Sequence, residues 1–245
     1  MSWRTLSQIC IFLILFSCGR AATTDVSRFF IPNFSSSTIG RYNFSNGKLY
    51  GSASDIRTGF QPTSVAVRKD RLIATSWGGD RLWNHKLSAG SVTSSSYVDV
   101  QSFGLSKPHH IILHPTLPFA YITHESNPGY VSVWHLGENG AITLHSQVSL
   151  AGSRTSTVSA SADFRFIYAS SPGDGKIYVF SVDGTGQLSQ LQAVPTGGIE
   201  PYMAVPVPNR QLMAVIHLTS DNLIFFDWEY SHEKQFEYWK ANYLF

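Results

Sequence analysis

Cysteine is nearly absent from this 245-residue chain: Cys10 and Cys18 are the only two, and both fall in the first twenty residues. A disulfide framework, a cysteine-held metal and a thiol nucleophile are therefore excluded from residues 22–245. Charge is scarce as well. Charged side chains make up 14% of the chain, against about 25% in an average soluble domain, which excludes a coiled coil and a charged disordered tail. The one long apolar run, Ile9 to Phe16, is shorter than the ~20 residues a bilayer span requires. No basic stripe occurs, so neither nucleic acid nor an anionic membrane surface is an expected partner.

The short apolar run follows Arg4 and precedes Gly19 and Ala21, the small-x-small pattern of a secretory leader cut after Ala21. Residues 1–21 are thus expected to be a signal peptide and the mature protein to be secreted. Leu15 to Gly19 partly resembles a lipoprotein box, with Phe16 fitting it poorly. Without the leader the balance is 16 basic against 16 acidic residues. Two N-x-S sequons, at Asn33 and Asn43, are candidate glycosylation sites.

Serine occurs 33 times and glycine 19 times, a composition that favours short strands joined by polar turns over helices. Self-comparison organises these strands. Segments starting at Arg28, Arg71, Pro118, Arg165 and Gln211 share an apolar strand, a Ser/Gly/Asp/Asn turn and an alternating strand, with starts 43, 47, 47 and 46 residues apart. A further strand flanks each hairpin on either side, as His110 to Leu113 and Ala141-Ile142 do in the third unit. Four antiparallel strands at this period predict an all-β fold, a β-propeller with five blades visible over residues 22–228. The tail, residues 229–245, matches no blade; Phe236, Trp239 and Tyr243 stand at helical spacing and predict a terminal helix.

In a propeller the innermost strand begins, and the next strand ends, at one face of the central channel. Residues 14 to 16 apart therefore meet at that mouth: His109 with Glu125, Thr63 with Trp77, Ser156 with Ser170, and Tyr202 with His217, Glu200 lying just before the last pair. An imidazole beside a carboxylate is a usable acid and base pair, each stabilising the other's charged form. His110 and His114 do not form a zinc site, because four residues of strand hold them about 13 Å apart and no third ligand follows.

The run from Lys107 to Pro115, followed by Phe119 to Glu125 and Val131 to Trp134, resembles the lactonase family of seven-bladed propellers. That family includes bacterial 6-phosphogluconolactonases and fungal carboxy-cis,cis-muconate cyclases. The resemblance implies lactone hydrolysis or lactone formation without a metal or other cofactor, on a small-molecule lactone or carboxylate, in a monomer. It places Glu125 on the family's glutamate. The family's arginines fall at His109 and at Ser171 or Pro172, and a family histidine falls at Pro62 or Thr63, so the bidentate guanidinium clamp on an anionic substrate is missing. The expected catalytic pair is Glu125 with His109; Arg154, His124, Tyr202 and His217 are the expected substrate contacts. Two other readings are a propeller that keeps the scaffold as a binding module, and a calcium-dependent lactonase using Glu125, Asn127 and Asp174.

Overall fold

The computed structural model describes residues 27–46, 48–51, 55–152, 154–208, 210–228 and 239–244; the expected leader and its cleavage site lie outside them. Five antiparallel sheets follow one another along the chain. Blade 1 holds β1 (Ser27–Asn33), β2 (Thr38–Ser45), β3 (Lys48–Gly51) and β4 (Ile56–Arg57). Blade 2 holds β5 (Pro62–Arg68), β6 (Arg71–Ser76), β7 (Arg81–Ser88) and β8 (Ser91–Asp99). In blade 3 the strands are β9 (Pro108–Leu113), β10 (Phe119–His124), β11 (Tyr130–Leu136) and β12 (Ile142–Ser149). Blade 4 has β13 (Val158–Ala160), β14 (Phe166–Ser171), β15 (Lys176–Val182) and β16 (Leu188–Pro195). Blade 5 has β17 (Pro201–Pro206), β18 (Leu212–His217), β19 (Asn222–Trp228) and β20 (Trp239–Leu244). No helix among the described residues is long and apolar enough to cross a membrane.

Burial explains the strand sequences. β10 and β14 are buried at every position, because a neighbouring blade covers each face, and apart from His124 they read as unbroken apolar and hydroxyl runs. The outermost strands have one wet face, and β12 alternates buried and exposed residues accordingly. Side chains from facing blades build four apolar clusters, one per seam, such as Ile73, Leu82, Ile111 and Trp134 between blades 2 and 3 and Tyr121, Val133, Tyr178 and Phe180 between blades 3 and 4.

Two features correct the sequence expectations. In blade 1, β3 and β4 pair with the same edge of β2, so they lie end to end. Trp239–Leu244, where helical spacing predicts a helix, is a strand that pairs with β19 from Ile224↔Leu244 to Trp228↔Trp239. Trp239, Ala241 and Tyr243 also satisfy a two-residue period, and the open edge of β19 decides between the two readings.

The seams carry a recurring polar lock. Left-handed glycines in the turn between third and fourth strands, Gly90, Gly140 and Gly186 (φ of 80°, 95° and 81°), each present their carbonyl to the preceding blade. Arg41 Nη1 donates to Gly90 O at 3.0 Å, Asn84 Nδ2 to Gly140 O at 2.8 Å and the Tyr121 hydroxyl to Gly186 O at 3.2 Å. A Cβ on Gly186 would lie 2.5 Å from the Phe119 ring, whereas one on Gly184 would meet nothing. Gly186→Ala is therefore expected to lower stability by about 1–3 kcal/mol, from left-handed strain and overpacking together. Gly184→Ala is expected to be near neutral, and urea unfolding of the pair measures the difference.

Candidate functional site

One repeat position supplies the rim of the channel. One residue in each of blades 2 to 5, Gln61, Lys107 and Glu200 just before β5, β9 and β17 and Arg154 four residues before the start of β13, is left-handed, with φ of 55°, 50°, 59° and 60°. Such a backbone is uncommon for residues other than glycine and persists only where the surroundings fix it. The fixing contacts come from the end of the second strand: Trp77 N donates to Gln61 O, Glu125 N to Lys107 O and Leu218 N to Glu200 O, at 2.9–3.0 Å. In blade 4 the equivalent donor is Pro172, which has no N–H, and Arg154 N donates to Ser126 O instead, at 2.8 Å.

Two residues further on stand Thr63, His109, Ser156 and Tyr202, and the inner-strand register slips there in blades 2, 3 and 5. The carbonyls of the last three residues clasp neighbouring blades. Thr75 Oγ1 donates to His109 O at 2.9 Å, Thr123 Oγ1 to Ser156 O at 2.7 Å and Ser170 Oγ to Tyr202 O at 2.7 Å. Ser156 O receives a second bond, from His109 Nδ1 at 2.8 Å. A carbonyl only accepts, so Nδ1 carries the proton and Nε2 keeps its lone pair. Nε2 lies 3.5 Å from the Tyr202 hydroxyl, with the two rings edge to face. Burial pushes the His109 pKa below its ordinary value; the charge of Glu125 and the Ser156 carbonyl offset this in part, and Arg154 adds to it. The imidazole is neutral at pH 7, and a nearby carboxylate stands ready to favour its charged form.

Glu125 belongs to a chain of charge-assisted contacts that crosses four blades. Its Oε2 accepts from Trp77 Nε1 at 2.8 Å and its Oε1 from Arg154 Nε at 3.3 Å. Arg154 Nη1 reaches Glu200 Oε1 at 2.8 Å, and Glu200 Oε2 accepts from the Thr219 hydroxyl. The Thr219 bond and then Arg154 hold the Glu200 carboxyl below the usual range despite its partial burial. Burial pulls the Arg154 guanidinium down, but Glu200 and Glu125 outweigh it and raise its pKa. The second terminal nitrogen of Arg154 has no protein partner among the described residues.

Of the residues expected at the mouth, His109, Glu125, Arg154 and Tyr202 are brought together. His124 and His217 are not part of this rim. Each precedes the rim position by one residue on an alternating strand and is turned into the blade, 0% and 2% exposed. His124 lies between Ser106 O at 3.0 Å and Ser132 Oγ at 2.7 Å, and His217 packs on Gly198. Asn33 closes the β1–β2 turn with bonds to Thr38 and Asp55, and Asn43 is half-buried in β2. Asp174 is engaged by the Tyr178 hydroxyl at 2.7 Å and by Lys176 at 3.4 Å. Among the described residues no group of three or more His, Cys, Asp or Glu is placed to hold a metal ion. Sequence reasoning missed the indole of Trp77 as the second holder of Glu125, and Glu200 as the second anchor of Arg154. A signal was available: Gln61, Lys107, Arg154 and Glu200 share one register, 46 or 47 residues apart, and three of them are charged.

Comparison with known proteins gives consistent results. The sequence profile described as "Lactonase, 7-bladed beta-propeller" matches residues 60–233. The 6-phosphogluconolactonase of Bacillus subtilis (strain 168) is 27% identical over an alignment of 164 residues that covers 64% of this chain. The chain spans about half of that relative's length (46%). Among solved structures, a protein from Lactobacillus plantarum superposes with a TM-score of 0.75 at 18% identity, covering 89% of this chain and 67% of that one. The Pseudomonas aeruginosa periplasmic gluconolactonase gives 0.74 at 21% identity, covering 88% and 66%.

Proposed function

Because the chain belongs to the lactonase family of seven-bladed β-propellers, we propose that it is a secreted, metal-independent lactone hydrolase working at the His109–Glu125–Arg154 rim. The observation that supports this most is the state of His109. Its Nδ1 proton is committed to Ser156 O at 2.8 Å, so the Nε2 lone pair is the basic position.

In this reading His109 Nε2 takes a proton from water, and the resulting hydroxide forms a bond to the lactone carbonyl carbon. Glu125 stabilises the imidazolium formed in that step. The tetrahedral oxyanion faces the remaining N–H groups of Arg154, which Glu125 and Glu200 hold in place. The ring C–O bond then breaks, and the leaving alkoxide takes the proton back from His109. Lactone and water become a hydroxy acid, and the imidazole is restored; the same groups in reverse order serve lactone formation.

Charge balance bears on the substrate. Arg154 faces two carboxylates, and the ammonium of Lys107 sits 5.1 Å from the Trp77 ring centroid. The two cations of the rim, Lys107 and Arg154, are balanced by Glu125 and Glu200, leaving no net positive charge for a phosphate, so a neutral glucono-1,5-lactone is expected to show a kcat/KM at least about tenfold above that of its 6-phosphate. A coupled acid-release assay on both lactones tests this, and preference for the phosphorylated one would refute it. A folded protein that turns over neither lactone nor a muconate is the result expected of the alternative, a secreted propeller acting as a binding module.

A further inference from the structure

A second polar site lies at the far end of β6 from Trp77, in the cleft between blades 2 and 3. It is a cavity of about 320 Å³. On the blade 2 face the register sets Arg71 opposite Lys86 opposite Ser94, and Asn84 opposite Ser96. All five line the cavity. Blades 1 and 2 differ from the other three here: where blade 2 has Arg71 and Asn84, the same register in blade 1 has Arg28 and Arg41. At the place of Arg71 the next blades carry Phe119, Phe166 and Leu212, and at the place of Asn84 they carry Val133, Val179 and Phe225.

Two independent features of this cleft call for a ligand. Arg71 and Lys86 are like charges directly across a strand pair, an arrangement that repels, and neither forms an ion pair among the described residues. Arg71 Nη2 donates to the backbone carbonyl of Glu138 at 2.9 Å, and Glu138 is itself part of the lining, which therefore holds two cations against one acidic residue. Asn84 is only 7% exposed. Its Nδ2 donates to Gly140 O at 2.8 Å, so the amide cannot be turned round, and its Oδ1 is buried without a donor. The site thus offers a net positive charge for an anion and one buried acceptor for a hydroxyl.

We propose that this cleft binds a small hydroxy-carboxylate, with the carboxylate between Arg71 and Lys86 and a hydroxyl donating to Asn84 Oδ1. Ser94 and Ser96, both exposed, supply hydroxyls for the rest of a polyhydroxy acid. Such acids are the chemical class that opening a sugar lactone yields, but the site stands apart from the channel and does not depend on the reaction assigned to it.

Calorimetric titration of the protein with gluconate, sorbitol, acetate and sulfate tests the proposal. Gluconate is expected to bind at least about tenfold more tightly than sorbitol, which lacks the anion, and than acetate or sulfate, which lack the hydroxyl. Lys86→Met, at an exposed position that keeps the alkyl stem, is expected to remove this binding event, and Glu125→Gln to leave it intact. Sulfate matching gluconate would overturn the hydroxyl assignment. The site itself is overturned if no probe binds, if Lys86→Met binds gluconate as wild type does, or if only Glu125→Gln abolishes binding.

Discussion

Glu125→Gln is expected to lower lactone turnover at least about a hundredfold, the usual scale for losing a positioned acid–base group. The substitution keeps the side chain's length, and the amide oxygen can still accept from Trp77 Nε1, now 2.8 Å away. What it removes is the negative charge that offsets the burial of His109, so the imidazolium formed during attack loses its stabilising neighbour. The loss should fall mainly on kcat, because the charge matters most once His109 has taken the proton. Steady-state kinetics on a neutral lactone, alongside a thermal melt to establish folding, make the measurement. Wild-type activity in this variant would end the role of Glu125.

Acid should unfold the protein well before its carboxylates are all protonated. Burial lowers the pKa of His110 and of His124 to about 4, with His109 adding to the shift in His110 and the Ser106 carbonyl opposing it in His124. In the unfolded chain both titrate near 6.5. The folded state therefore holds them neutral while the unfolded state takes up protons, and stability rises with pH across this window. Their contribution is complete above pH 6.5 and is lost as pH falls from about 6.5 to about 4. Each is worth up to about 3 kcal/mol, so the pair rivals the ~5–15 kcal/mol that holds a typical domain together. Urea midpoints are expected to drop steeply between pH 6.5 and 4, and His124→Gln to flatten the slope by about one proton. A midpoint independent of pH in that range would show that these rings are not held neutral by burial.

The five blades were legible because their turns and outer strands report local chemistry: Gly-, Asn- and Asp-bearing turns recur at one period, and an outer strand such as β12 alternates plainly. The tail was not, since Trp239 and Tyr243 satisfy helical and strand spacing alike and only the waiting edge of β19 resolves them. At the site, the meeting of His109 and Glu125 followed from antiparallel register within one blade. The Trp77–Glu125 bond joins two blades, and its geometry depends on how adjacent sheets are rotated, which no period encodes. His124 and His217 were misplaced by a single step of strand parity, since neighbours on a strand face opposite ways.

The bond from His109 Nδ1 to Ser156 O joins an imidazole of one blade to a backbone carbonyl of the next. Which nitrogen is basic is thus decided outside the sheet that carries the ring. The smallest portion of the chain able to define that base is a pair of adjacent blades in their native docking. Chemical competence here is a property of the joint between repeats, and a single repeat, however well folded, would possess the residues without the poise.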